Sequence, residues 1–255
     1  MAATTSPVNA VCDGGLVIDL SRMKSIRIDP VRRTARAEPG LTRGEFDRQT
    51  QAFGLALPGG FVSITGIAGL TVGGGFGYLS RKYGLTIDNL LSADVVTAAG
   101  QFLTASSTEN ADLFWGIRGG GGNFGIVTSF EYRLHPVGPM ILGGMVLHPL
   151  AKAKGVLQFY RECITTAPDE LFITIFFMTA PSASTLPKQI HGTPVMAIFI
   201  CYVGPIEDGE RLVEPLRTFG PPEVDPVSQR PYVEMQSISD ATNPPGWQNY
   251  WKSDI

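Results

Sequence analysis

Pro58-Gly-Gly-Phe-Val-Ser-Ile-Thr-Gly-Ile-Ala-Gly-Leu-Thr-Val-Gly-Gly-Gly-Phe-Gly77 is a dense glycine run in a chain of 255 residues, holding eight of its 30 glycines. Small and apolar residues alternate, and the run ends in Gly-Gly-Gly-x-Gly. Backbone without side chains lets amides approach an anion closely, and successive N–H groups in such a loop form an anion-binding concavity. Ser63, Thr65 and Thr71 add hydroxyl donors. The same pattern also serves tight turns and close strand contacts.

Upstream, Leu16–Leu20, Ser25–Asp29 and Arg33–Glu38 carry the β-branched, alternating pattern of short strands. Thr42 and Glu45 make a Thr-x-x-Glu capping box, with Leu41 and Phe46 placed as a hydrophobic staple. This spacing predicts a helix from about Arg43 to Phe53, stopped at Gly54. Downstream, Ser92–Thr97 and Gln101–Thr104 flank a turn and predict a hairpin. Asn110 is expected to cap a short helix over Ala111–Ile117, ended by Gly119. Ile126–Leu134 reads as a long strand.

Composition changes after Pro136. The pattern becomes strand (Ile141–Leu147), helix (Ala151–Cys163), two strands (Leu171–Met178, Pro194–Val203) and helix (Glu207–Phe219), as expected of a sheet with helices on at least one face. The charges of Glu207–Arg217 read as a solvated helix face. The tail from Gly220 is rich in proline, and its Tyr232, Trp247, Tyr250 and Trp251 are expected to have little to pack on. We therefore expect two domains, residues 1–137 and 138–255.

A net charge of −3 with both signs dispersed offers no stripe for nucleic acid. Apolar runs such as Val195–Val203 fall short of the roughly 20 residues of a membrane span. The first residues show neither a basic start nor an apolar run, so a cytoplasmic protein without membrane partners is expected. Cys12, Cys163 and Cys201 are widely spaced and read as reduced, buried thiols. His135, His148 and His191 stand singly, giving no metal-ligand spacing. Gly120–Gly125 matches Gly-x-Gly-x-x-Gly, but it opens a strand instead of a helix and lacks an acidic residue about 20 positions on, which argues against a nicotinamide fingerprint. A P-loop is absent as well.

Four blocks in order, Gly66–Gly77, Arg81-Lys-Tyr-Gly-Leu85, Asp88-Asn89 and Asp112-Leu-Phe-Trp-Gly-Ile-Arg-Gly-Gly-Gly-Gly-Asn-Phe-Gly-Ile-Val-Thr128, resemble FAD-linked oxidases of the berberine-bridge-enzyme type. The resemblance covers about Val11 to Pro136 strongly and the later chain more loosely. It implies an α+β fold: a two-subdomain FAD-binding domain of the p-cresol methylhydroxylase type, followed by part of an antiparallel-sheet substrate domain. It also implies a small-molecule substrate (an alcohol, amine or sugar-like compound), hydride transfer to flavin N5, and reoxidation by molecular oxygen or another acceptor. The protein would supply orientation and electrostatics to the cofactor's chemistry.

By the same resemblance, Val62, Ser63, Thr65, Gly66, Gly69, Gly73, Gly74, Gly75 and Gly77 belong to an FAD loop, and Ile126 and Val127 to the strand start that meets the nucleotide portion. Many relatives bond the flavin through a cysteine in this loop, where Val62 stands here. The family's first phosphate loop, with its histidine, is expected to lie upstream of this chain, and its catalytic tyrosine or glutamate downstream. No catalytic residue is assigned, and FAD is expected to be held noncovalently. A truncated fragment with weak or no FAD binding and no catalysis is the alternative. Tyr78, Arg81, Lys82 and Tyr83 are expected to anchor the loop, Asp88 and Asn89 to serve as turn or cap, and Phe114 and Trp115 to be core anchors.

Overall fold

The structure, a computed structural model, describes residues 14–182 and 186–244. Of the described residues, those up to 136 together with 236–244 form one compact unit, and those from 137 to 235 form another.

In the first unit, strands β1 (Ile26–Asp29) and β2 (Thr34–Ala37) precede helix α1 (Arg43–Gln51), the short strand β3 (Leu55–Ala56), and helices α2 (Ile67–Val72) and α3 (Ser80–Tyr83). Strands β4 (Leu90–Val96) and β5 (Phe102–Ser106), helix α4 (Ala111–Ile117), strand β6 (Ile126–Arg133) and the short β7 (His135–Pro136) follow. The main sheet is antiparallel throughout, in the order β1-β2-β6-β4-β5, and β3 pairs with β7. Phe46, Leu57, Ile67, Ile117, Phe130 and Tyr132 form its core.

The α1 start accounts for its N-terminal donors one by one. Glu45 N–H donates to Thr42 Oγ1 at 3.4 Å, and the Glu45 carboxylate accepts from Thr42 N–H at 2.8 Å, completing the capping box. Arg43 and Gly44 N–H groups donate to the Thr65 and Ser63 carbonyls at 2.7 and 2.8 Å. Orphan donors at a helix start need such partners, and here two of them come from the glycine segment.

The second unit contains β8 (Met140–Pro149), α5 (Ala153–Thr166), β9 (Leu171–Thr179), β10 (Pro194–Tyr202), α6 (Ile206–Thr218), β11 (Ser228–Pro231) and, at its end, all but the last residue of α7 (Tyr232–Gln236). Its antiparallel sheet runs β11-β8-β10-β9. Val156 of α5 and Val213 and Leu216 of α6 pack on Leu142, Val146, Met196, Ile198 and Ile200. Phe159 and Phe219 stack at 4.1 Å between ring centroids. All of Val195–Tyr202 is buried, as its unbroken apolar pattern requires.

Several expectations are corrected. Leu16–Leu20 joins no strand, and Leu16 is 85% exposed. Asn110 adopts a left-handed conformation (φ 46°, ψ 51°) without a side-chain cap; its Nδ2 donates instead to the Thr104 carbonyl at 2.7 Å. Trp115 is 79% exposed, because the buried face of α4 carries Phe114 and Ile117 and turns Trp115 outward. Tyr232 is fully buried despite its place in the tail. Apart from these corrections, Gln236 and the described residues after it group with the first unit. Cys12, Trp247, Tyr250 and Trp251 lie outside the described residues.

Candidate FAD site

The glycine segment is suspended between α1 and the turn at Thr86. Below its start, the buried Arg43 guanidinium donates to the Leu57 carbonyl and meets Asp47 at 2.5 Å. A Cβ on Gly59 would lie 2.5 Å from that guanidinium. Burial raises the Asp47 carboxyl to about 6, although the Arg43 charge pulls the other way. Ile67 N–H donates to the Leu41 carbonyl at 3.0 Å, fixing the entry to α2.

The far end folds back on the near end. A Cβ on Gly77 would come 1.5 Å from the Gly59 carbonyl oxygen, so the two ends cross backbone to backbone. Thr86 holds this crossing: its hydroxyl bonds the Pro58 and Gly75 carbonyls at 2.8 and 3.2 Å, and its N–H the Gly75 carbonyl at 2.9 Å. Gly75 would drive a Cβ to 2.2 Å from the Thr86 hydroxyl. Gly75 and Gly77 are therefore glycines for internal packing.

Several expected donors are already engaged. Gly73 and Gly74 N–H groups donate to Gly69 and Thr71 carbonyls at 3.2 and 3.0 Å, and Gly77 N–H to Ser80 Oγ at 3.0 Å. Buried Thr71 donates to the Ile67 carbonyl at 2.7 Å and meets the Tyr132 hydroxyl at 2.8 Å. Burial keeps the Tyr132 phenol protonated. Ser63 donates through both N–H (2.8 Å) and hydroxyl to the Asp240 carboxylate. Thr65 N–H turns inward to the Val62 carbonyl at 3.2 Å.

Gly69 differs from these. It sits in the middle of α2, is exposed, and a Cβ there would meet nothing within 4 Å. Glycine inside a helix costs about 0.5–1 kcal/mol relative to alanine, and among the described residues no atom demands that cost here. Gly119 N–H donates to the Val72 carbonyl at 3.1 Å, bringing the second glycine run beside the end of α2. Ala68, Val72 and Val127 pack against one core, so α2 and the start of β6 at Ile126–Val127 flank the same region. Val62 and Gly66 are half-buried above the α1 start.

The remaining motif residues serve as struts. Asn89 donates to the Tyr83 and Leu85 carbonyls at 2.9 Å each and meets His135 Nε2 at 2.6 Å. Tyr83 stacks on His135 at 4.0 Å. Arg118 reaches the Asp88 carboxylate at 3.4 Å. Tyr78 is buried and set edge-on to Phe61 at 4.8 Å. Sequence reasoning missed Asp240 and Gln236, since nothing local marks a carboxylate 177 residues from its partner.

Residues 1–106 match the FAD binding domain family, and the antiparallel framework around the loop is the p-cresol methylhydroxylase type of FAD-binding fold. The chain is homologous to FAD-linked oxidoreductases. It is 39% identical over 243 residues to an FAD-linked oxidoreductase of Dictyostelium discoideum, covering 94% of this chain and 50% of that one. To (R)-6-hydroxynicotine oxidase of Paenarthrobacter nicotinovorans it is 30% identical over 246 residues, covering 95% and 52%. Among solved structures it matches 6-hydroxy-D-nicotine oxidase of Arthrobacter nicotinovorans (TM-score 0.81, 30% identity, 93% of this chain and 51% of that chain). A berberine-bridge-enzyme-like protein of Arabidopsis thaliana matches with TM-score 0.72 and 29% identity, over 87% and 44%. The chain thus spans about half the length of the relatives it matches. No described helix is long and apolar enough to cross a membrane.

Proposed function

We propose that the chain supplies the FAD-holding surface of an oxidoreductase acting on a small alcohol, amine or sugar-like substrate. The exposed, sterically unconstrained Gly69 in α2 is the observation that carries this reading, together with the glycine run packed beside it. Bound FAD would supply a two-electron acceptor for the substrate's hydride, to be reoxidised by oxygen or another acceptor. The chain's own part is to hold and orient: the backbone of Val62–Gly69 and Gly73–Gly74 would border the cofactor, and Ile126–Val127 would lie along its nucleotide portion. Residues 1–137 serve FAD, and the antiparallel sheet of β8–β11 begins the substrate-binding part. The relative named (R)-6-hydroxynicotine oxidase supports an organic small molecule as substrate class.

Val62 offers no sulfur for a thioether, and none of the histidines lies in the glycine segment. Binding by this chain is therefore noncovalent. Purified chain should take up FAD, turn yellow, and release all flavin on acid precipitation. Flavin retained in the pellet would contradict noncovalent binding, and colourless protein that takes up no added FAD would remove the cofactor assignment.

A further inference from the structure

The segment Gln236–Asp240 touches the glycine segment at two points and the residue after it at a third. Gln236 is 2% exposed and donates through Nε2 to the Gly60 carbonyl. Asp240 accepts from Ser63 N–H at 2.8 Å and from the Ser63 hydroxyl. Ser239 Oγ lies 3.4 Å from the hydroxyl of Tyr78, the residue that follows Gly77. Both ends of the segment are thus engaged by side chains far along the chain.

The chemistry of Ser63 decides what this arrangement does. A serine has one amide and one hydroxyl hydrogen to donate, and a single carboxylate takes both. Bonds to an ionised acceptor are stronger and shorter than neutral ones. Ser63 therefore has no hydrogen left for a phosphate oxygen, and the charge beside it is negative. Its contribution to an anionic cofactor must pass through the shape of the loop. Gly44 N–H holds the Ser63 carbonyl from the opposite side at 2.8 Å, so the Ser63 backbone is gripped at both its donor and its acceptor.

We propose that Gln236 and Asp240 form a clasp that fixes the Gly60–Ser63 backbone in its cofactor-binding shape, making them positioning residues of the FAD site. The proposal rests on the FAD assignment above. Without the clasp, Ser63 loses an ionic acceptor and the loop samples other conformations, so each binding event must first reorder it.

The test titrates FAD into the chain and into Asp240→Ala, Ser63→Ala, the double variant, Gln236→Leu and Asp240→Asn, reading the dissociation constant and the visible circular dichroism of bound flavin. Asp240→Ala is expected to weaken FAD binding by about tenfold or more, the scale of one charged hydrogen bond, and to alter the flavin dichroism. The double variant is expected to match the worse single variant within about twofold, since the two residues act as one unit. Asp240→Asn, which still accepts from Ser63 N–H, should recover part of the loss. Folded Asp240→Ala protein with unchanged affinity and spectrum overturns the clasp.

If Asp240→Ala does not fold, Ser63→Ala and Asp240→Asn decide by the same criteria. If the unsubstituted chain binds no FAD, the cofactor assignment fails by itself, and amide exchange then judges the clasp. Ser63 N–H should exchange about tenfold faster in Asp240→Ala while β6 amides keep their protection. Unchanged Ser63 exchange overturns it.

Discussion

Gly69 occupies the third position of a six-residue helix and has open space where its side chain would be. Gly69→Ala should raise the stability of FAD-free chain by about 0.5–1 kcal/mol in urea unfolding while weakening FAD uptake. Stabilisation without loss of uptake would show that no ligand approaches there. Asp47 and His135 set opposite pH dependences. Burial raises Asp47 from 3.8 to about 6, so the native state binds more protons than the unfolded chain across that window. Its contribution to stability is present below about pH 4 and is lost as pH rises through 6. Asp47→Asn should flatten this slope, and an unchanged slope in denaturation between pH 4 and 7 would refute it. His135 is lowered from 6.5 to about 4 by burial and then by Arg133, Arg33 and Lys82. The unfolded chain binds the extra proton, so this contribution is present above about pH 6.5 and is lost on acidification toward 4. Its imidazole resonances should stay flat down to about pH 5; a midpoint near 6.5 would contradict the packing against Tyr83 and Asn89.

Among the elements, α1 was legible because its start is chemically explicit: Thr42, Glu45, Leu41 and Phe46 specify cap and staple locally. Thr42→Ala should cost about 1 kcal/mol, within the usual range for such caps, by urea denaturation; a cost near zero would mean that the Ser63 and Thr65 carbonyls alone secure the helix start. Strands β6 and β10 were legible from length and apolar pattern. The helix α2 was not, because Gly69, Thr71 and Val72 disfavour helix intrinsically and Ile67–Val72 is held by long-range bonds to Leu41, Tyr132 and Gly119. Leu16–Ile18 alternates like a strand, yet a strand needs a partner and none is specified nearby. Trp115 shows the related limit that apolar character does not tell which way a helix faces.

For the whole molecule, the ordered motif blocks made the FAD-binding framework readable. The site's support was readable only in part: Arg43, Thr86 and the Gly59–Gly77 crossing are contacts across sequence, and Asp240 reaches Ser63 from the far end of the chain. The residues expected to donate to phosphate proved largely engaged within the protein, which shifts attention from hydroxyls to the open backbone around Gly69. The antiparallel unit of β8–β11 has the architecture expected to follow an FAD-binding domain, and the relatives extend to about twice this length. The most direct measurement is a fluorescence titration of FAD with the purified 255-residue chain. The account predicts saturable binding at one flavin per chain, reversed by acid denaturation. Absence of any saturable change at FAD concentrations up to the solubility of the protein would contradict it.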